Sequence, residues 1–334
     1  LQGLHVPGLY GGSASSRGEM LSRLEKLSRI VGSTPTRCFQ LGRYRLCVKL
    51  EYVNPTGSHK DRIALYMIRS AVERGDLGPG GCVAEVSSGN TATSVAWIAW
   101  SLGLRPTLFV ERMASNTKKS LIRMLGGEVV EIGDEGLSRD WARERAEELG
   151  CLLLDQTSNE YNHLAHYETT GAEIVEQVGR VDAFLMGVGT GGTVTGVARR
   201  LRESQGSTLV VAVTPRGSRL AGGEGGDTIE GLASRSVPPL YERHRALVDT
   251  VVEVSGREAL MGVEALASAT GLLAGPSTGA AFAAASRLIL ERVLDPGSTV
   301  VIIAADSLAR YPELSSSFRL GAAGGAALLN SWLA

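Results

Sequence analysis

Along most of the chain, short continuous apolar runs alternate with longer stretches whose apolar positions fall three and four apart. The runs predict strands near 44–51, 82–86, 106–111, 128–132, 151–154, 182–187, 208–213, 249–254, 272–274 and 299–304. The longer stretches predict helices near 58–75, 90–103, 116–125, 136–149, 163–178, 192–204, 256–269, 278–292 and 311–319. A helix is also expected over Glu19–Ile30, followed by a turn at Val31-Gly-Ser-Thr-Pro35 and a first pair of strands. Strands and helices in this order call for parallel sheets covered by helices on both faces. Residues 1–18, rich in Gly and Ser, are expected to form a mobile arm, and Ala221-Gly-Gly-Glu-Gly-Gly-Asp227 a flexible surface loop. No role is assigned to the Ala/Gly-rich tail Gly321 to Ala334.

Composition narrows the picture. At 334 residues the chain exceeds one typical domain, and 43% hydrophobic content is ample for two α/β domains. A net charge of −1 with mixed signs points to no nucleic-acid or membrane surface. No apolar run reaches the roughly 18 residues of a membrane span, and no signal peptide is visible. Cys38, Cys47, Cys82 and Cys151 lie far apart without a C-x-x-C spacing. They are expected to be buried free thiols of a cytoplasmic protein rather than a disulfide or zinc framework. His5, His59, His163, His166 and His244 make no metal pattern, and His163 with His166 reads as a solvated pair.

The first chemical candidate is Lys60. Tyr44–Glu51 reads as a strand and Ser58–Gly75 as an amphipathic helix with Ile63, Leu65, Met67, Ile68 and Val72 on its apolar stripe. Ser58 with Asp61 three residues on reads as a capping box, so Lys60 falls in the first turn. The positive end of the macrodipole disfavours an ammonium there and favours the neutral amine that a Schiff-base lysine needs. Taken alone, it reads as a surface lysine whose stem snorkels to water; two further loops change that reading.

Strand 82–86 runs into Ser87-Ser-Gly-Asn-Thr91 and strand 182–187 into Gly187-Val-Gly-Thr-Gly-Gly-Thr193, each followed by a helix. Both loops therefore lie at strand carboxyl ends and helix amino termini, where open α/β sheets bind anionic ligands. The glycines of the second loop let backbone approach a phosphate. That loop could also serve a dinucleotide, yet Val213-Thr-Pro-Arg216 ends the next strand where an acidic residue belongs, leaving Arg216 for a 2′-phosphate. Hydroxyls in the first loop suit a carboxylate. Gly275-Pro-Ser-Thr-Gly-Ala280 opens another helix and offers the neutral hydroxyl of Ser277.

In combination these segments resemble the fold-type II pyridoxal-phosphate enzymes, within them the cysteine synthase and cystathionine β-synthase family. The likeness starts at Ile30-Val-Gly-Ser-Thr-Pro35 and continues through Lys49-Leu-Glu-Tyr-Val-Asn-Pro-Thr-Gly-Ser-His-Lys-Asp-Arg62. It extends over Ser87–Thr91, Glu111-Arg-Met113, Gln156-Thr-Ser-Asn159, Gly189–Thr193 and Gly275–Ala280. The resemblance implies an α/β protein of two three-layer α/β/α domains with mainly parallel twisted sheets, like the tryptophan synthase β fold. Residues 1–50 would supply an N-terminal arm and strands joining the large domain. Residues 51–160 would form a small mobile domain, and 161–334 the large domain that holds the cofactor phosphate.

By the same resemblance, Lys60 carries pyridoxal 5′-phosphate as an internal aldimine and Asn90 bonds its ring hydroxyl oxygen. Gly189, Thr190, Gly191, Gly192 and Thr193 hold the phosphate, and Ser277 faces the pyridine nitrogen. Ser87, Ser88, Gly89, Thr91 and Gln156 bind the substrate carboxylate, whose arrival closes the small domain. A hydroxyl at 277 holds the ring nitrogen protonated less well than a carboxylate would, which favours expulsion of a β-substituent over transamination. Lys60, once released, removes the α-proton. The implied reaction makes L-cysteine from O-acetylserine or O-phosphoserine and sulfide through an aminoacrylate. Cystathionine β-synthase and serine/threonine dehydratase activities are the alternatives. A homodimer is implied, and no metal, regulatory extension or haem-binding extension is expected. Three departures stand out. His59 replaces the usual Val or Phe and is expected to pack, Ser87 replaces Thr, and Ile229–Pro238 matches the family's leaving-group stretch only loosely. Arg216, Arg219 and Arg235 near that stretch suit a phosphorylated donor.

Overall fold

The computed structural model describes residues 16–133, 138–321 and 324–333. Its strands are β1 (Thr36–Leu41), β2 (Tyr44–Leu50), β3 (Cys82–Val86), β4 (Arg105–Glu111), β5 (Glu128–Ile132), β6 (Cys151–Leu153), β7 (Ala183–Gly187), β8 (Leu209–Pro215), β9 (Thr250–Val254) and β10 (Thr299–Ala304). Its helices are α1 (Arg17–Ser28), α2 (Lys60–Arg74), α3 (Asn90–Leu102), α4 (Asn116–Met124), α5 (Arg139–Glu148), α6 (Glu160–Ala165), α7 (Gly171–Val178), α8 (Gly192–Gln205), α9 (Pro239–His244), α10 (Gly256–Thr270), α11 (Pro276–Leu290) and α12 (Ala326–Leu333). Two compact units form. One takes the described residues up to Gly32 with Lys60–Asn162, and the other takes Ser33–His59 with the described residues from His163 onward.

In the first unit a four-stranded parallel sheet runs β5-β4-β3-β6. Alternate residues of β4 face opposite ways. Phe109 packs with Ala142 and Ala146 of α5, whereas Leu108 meets Ala96 of α3 and Ile122 of α4 around Gly127. The second unit holds a six-stranded sheet, β1-β2-β10-β7-β8-β9, parallel except for the β1–β2 hairpin. Its central strands β7 and β10 are buried along their whole length, which explains why they read as continuous apolar runs. Val300 and Ile302 join the core under α10, α11 and Trp332, while Val301 and Ile303 join Val194, Val197 and Leu201 of α8 on the opposite face.

Several expectations need correction. Residues 272–274 form no strand, because Gly271 caps α10 in the left-handed region (φ 75°) and Pro276 already opens α11. Ala274 makes only an isolated bridge to Ser307. The helix expected over 163–178 begins at Glu160 and is interrupted by a π turn at His166–Thr170. Residues 311–319 contain a 3₁₀ turn, Pro312–Ser316, in place of a helix. Two helices, α9 and α12, are additions to the expected set, and most of the N-terminal arm lies outside the described residues. α2 starts at Lys60, two residues after Ser58, whose backbone bridges to Asp306.

The cysteines are not free thiols. Cys38 faces Cys47 across the β1–β2 hairpin and Cys82 faces Cys151 across β3–β6, with Cα separations of 4.0 and 4.3 Å, and each pair is joined as a disulfide. Direct register between neighbouring strands is what brings the sulfurs together. His163 and His166 are likewise buried, not solvated.

Candidate active site

β3 ends in Ser87-Ser88-Gly89, and α3 begins at Asn90 with Gly89 at its N-cap and no side-chain cap. A helix start without a side-chain cap suits an anion. The loop is fixed at both hydroxyls: Ser87 Oγ accepts from Gly89 N (3.2 Å) and Ser88 Oγ from Glu111 N (2.9 Å). Thr91 donates its hydroxyl to Gln156 Oε1 at 2.7 Å, so two residues 65 positions apart meet at one helix start. Lys60 opens α2, and the next residue, Asp61, accepts a 2.6 Å bond from Ser94 of α3. That buried bond sets the two helix starts side by side. Lys60, Ser87, Ser88, Gly89, Asn90, Thr91 and Gln156 thus belong to one unit and one edge of its sheet.

Beneath this loop lies a residue the sequence reading passed over. Glu85, on β3, is 2% exposed. It accepts from Val86 N (2.9 Å) and Gln156 N (3.1 Å). Burial pushes its pKa up to about 8, against the two backbone N–H bonds and the nearby Lys60 charge, which pull it down. The carboxyl is therefore protonated at neutral pH. Asp155 next door goes the other way. Burial raises its pKa, but bonds from Ser158, Thr157 and Arg139 outweigh that and hold it low. Asp155 takes a positive φ of 51° and organises the turn that presents Gln156.

In the second unit β7 opens into the glycine loop. Gly191 is the N-cap of α8 at φ 89°, again without a side-chain cap. A Cβ at Gly189 would come within 2.5 Å of the Gly231 carbonyl oxygen, and one at Gly191 within 2.5 Å of Tyr241 Cβ. Only glycine fits, and with Gly192 N donating to Thr190 Oγ1 at a long 3.4 Å the helix start makes a cradle suited to a phosphate. Gly275 caps α11 and Pro276 occupies its first turn, which places Ser277 at the carboxyl end of β10, the neighbour of β7. Ser277 is 8% exposed, and its hydroxyl bonds to no described residue. The cradle and this open hydroxyl fit pyridoxal phosphate.

Three histidines surround the same loop. Thr193 Oγ1 lies 3.1 Å from His166 Nε2 and 3.3 Å from His59 Nδ1, and Thr195 Oγ1 lies 2.9 Å from His163 Nδ1. His59 packs as expected, its ring centroid 5.6 Å from that of His166, and hydrogen-bonds as well. Arg216 is paired with Glu258 at 2.9 Å, while Arg219 and Arg235 are exposed. Among the described residues no group of three or more His, Cys, Asp or Glu side chains is placed to hold a metal ion.

The family pattern of the pyridoxal-phosphate dependent enzymes matches residues 27–306. Cysteine synthase B of Salmonella typhimurium is 36% identical over 300 residues, covering 86% of this chain and 94% of that protein. Cysteine synthase A of Escherichia coli K12 is 37% identical over 297 residues, covering 84% and 91%. A crystal structure of O-ureido-L-serine synthase superimposes with a TM-score of 0.81 at 30% identity, over 89% of this chain and 96% of its own. The chain belongs to the pyridoxal-phosphate dependent enzymes, and its fold is that of type II. Within the family, the two relatives named above are cysteine synthases.

Proposed function

We propose that the protein is a pyridoxal-phosphate dependent cysteine synthase, which replaces the β-substituent of an O-activated serine with sulfide. The observation that carries this reading is the helix start at which Thr91 and Gln156 meet, in the same unit and tied by Asp61–Ser94 to the helix that begins with Lys60. The cofactor, when bound, supplies the electron sink that stabilises negative charge at the substrate Cα.

The chain's own groups do the rest. Gly189 to Thr193, at the glycine-rich start of α8, would hold the phosphate, with Asn90 for the ring oxygen and Ser277 for the ring nitrogen. Lys60 Nζ would anchor the cofactor, and its free amine would serve as the base for the α-proton. Ser87, Ser88, Gly89, Thr91 and Gln156 receive the substrate carboxylate. The Thr91 proton then turns from Gln156 Oε1 to the carboxylate, exchanging a neutral hydrogen bond for a charge-assisted one. A protonated Glu85 keeps a second negative charge away from this spot. Arg216 is spent on Glu258, so a phosphorylated donor would rely on Arg219 or Arg235.

The test supplies O-acetylserine or O-phosphoserine with sulfide and measures cysteine. Wild-type protein forms cysteine and Lys60→Ala does not. A 2-oxo acid without cysteine would establish a dehydratase instead, and product only with homocysteine a cystathionine synthase. We also propose a homodimer, checked by sedimentation. No described helix is long and apolar enough to cross a membrane. A cytoplasmic setting requires all four cysteines to be reduced in cells, which alkylation before lysis reads directly.

A further inference from the structure

The chemistry proposed above leaves His59, His163 and His166 without a task, although all three are buried against the first turn of α8. A hydroxyl has one proton and two lone pairs. Thr195 donates its proton to the Gly191 carbonyl at 2.8 Å, so His163 Nδ1, 2.9 Å away, must carry a hydrogen and donate to it. The same count applies to Thr170, which is fully buried in the π turn and has His166 Nδ1 at 2.9 Å. Its hydroxyl is satisfied by donating to that nitrogen. The hydrogen of the His166 ring then sits on Nε2, aimed at Thr193 Oγ1, 3.1 Å away.

One choice remains, at His59. Either Thr193 gives its proton to His59 Nδ1, or His59 Nδ1–H gives to Thr193. In the second case two imidazole N–H groups fill both lone pairs of Oγ1, and the hydroxyl proton is left over. Thr193 is in the first turn of α8, where a free O–H adds one more donor to an anion cradle.

We propose that His59 and His166 are positioning residues for the phosphate loop, whose ring N–H groups together direct the single hydroxyl proton of Thr193 onto the cofactor phosphate. This rests on the reading of Gly189–Thr193 as the phosphate site. It gives His59, where the family usually has Val or Phe, a task in cofactor retention.

Pyridoxal phosphate affinity is measured by fluorescence titration of the apoprotein for wild type, His59→Phe, Thr193→Val and the double variant. Each single change weakens binding roughly tenfold, as loss of a charge-assisted bond does. In the Thr193→Val background, His59→Phe costs nothing further. In the wild-type background His59→Asn, which keeps a donor near the Nδ1 position, retains most of the affinity that His59→Phe loses. ¹⁵N spectra of histidine-labelled holoenzyme show hydrogen on His59 Nδ1 and His166 Nε2, a readout independent of any variant's folding. Additive losses, or a bare His59 Nδ1, overturn the relay while leaving the phosphate loop in place. Wild-type affinity in Thr193→Val removes the relay alone, whereas wild-type affinity in Gly191→Ala removes the phosphate reading itself, and the relay with it.

Discussion

Glu85→Gln replaces a buried acid by its neutral isostere, and the consequences are worked from one carboxyl. In the folded chain the Glu85 pKa is raised from the ordinary 4.5 to about 8 by burial. Between those two values the folded state keeps the proton and the unfolded state has lost it. Stability therefore falls as pH rises, by about 1.4 kcal/mol per pH unit. The contribution is full below pH 4.5, declines through the window and is lost above pH 8, a total of about 5 kcal/mol. The glutamine variant has no such slope. It has a cost of its own, because a carboxamide offers one oxygen where Val86 N and Gln156 N now bond to two. One N–H loses its acceptor, at about 1–3 kcal/mol.

The two effects cross. At about pH 5 the variant is the less stable protein, and at about pH 9 it is the more stable one. Urea unfolding of the apoprotein at fixed ionic strength across this range gives the difference directly. A wild-type-minus-variant difference that stays flat with pH refutes the buried, protonated carboxyl. The same ionisation reaches function. Above pH 8 a Glu85 carboxylate sits behind Gln156 and repels the substrate carboxylate, so KM for the amino-acid donor rises in wild type and not in Glu85→Gln.

Two further perturbations probe the scaffold. Gly191→Ala puts a Cβ against Tyr241 at a positive φ, so holoenzyme stability drops by at least about 2 kcal/mol and cofactor affinity falls with it, read by melting with and without pyridoxal phosphate. Trp332→Ala removes a fully buried ring that stacks on Phe282 and donates to Ser286 Oγ at 2.8 Å, costing about 3–5 kcal/mol in urea unfolding while the cofactor spectrum of the surviving folded protein is unchanged.

What the sequence discloses about this site depends on how local each requirement is. Lys60, Ser87–Thr91 and Gly189–Thr193 are legible because anion binding at a helix start needs consecutive residues, and the loops sit directly after runs that can only be buried strands. The sheets are legible for the same reason, since β7 and β10 carry almost no polar residue to point at water. Cys38 opposite Cys47 was within reach too. A hairpin turning at Gly42–Arg43, with Leu41 facing Tyr44, fixes that pairing by counting back from the turn. Cys82 with Cys151 was not, because a parallel register across 69 residues follows from strand order, which no local pattern encodes. The histidines belong to this second kind. Nothing near His59 announces Thr193, which is 134 positions away. Glu85 lies between the two, for its partners are distant in part but its anomaly is local, a charged residue inside the apolar run Cys82-Val-Ala-Glu-Val86. A strand that keeps an acid where every neighbour is apolar must hold it neutral or bonded. Such a break in an otherwise consistent pattern marks the place where stability has been given up for the site above it.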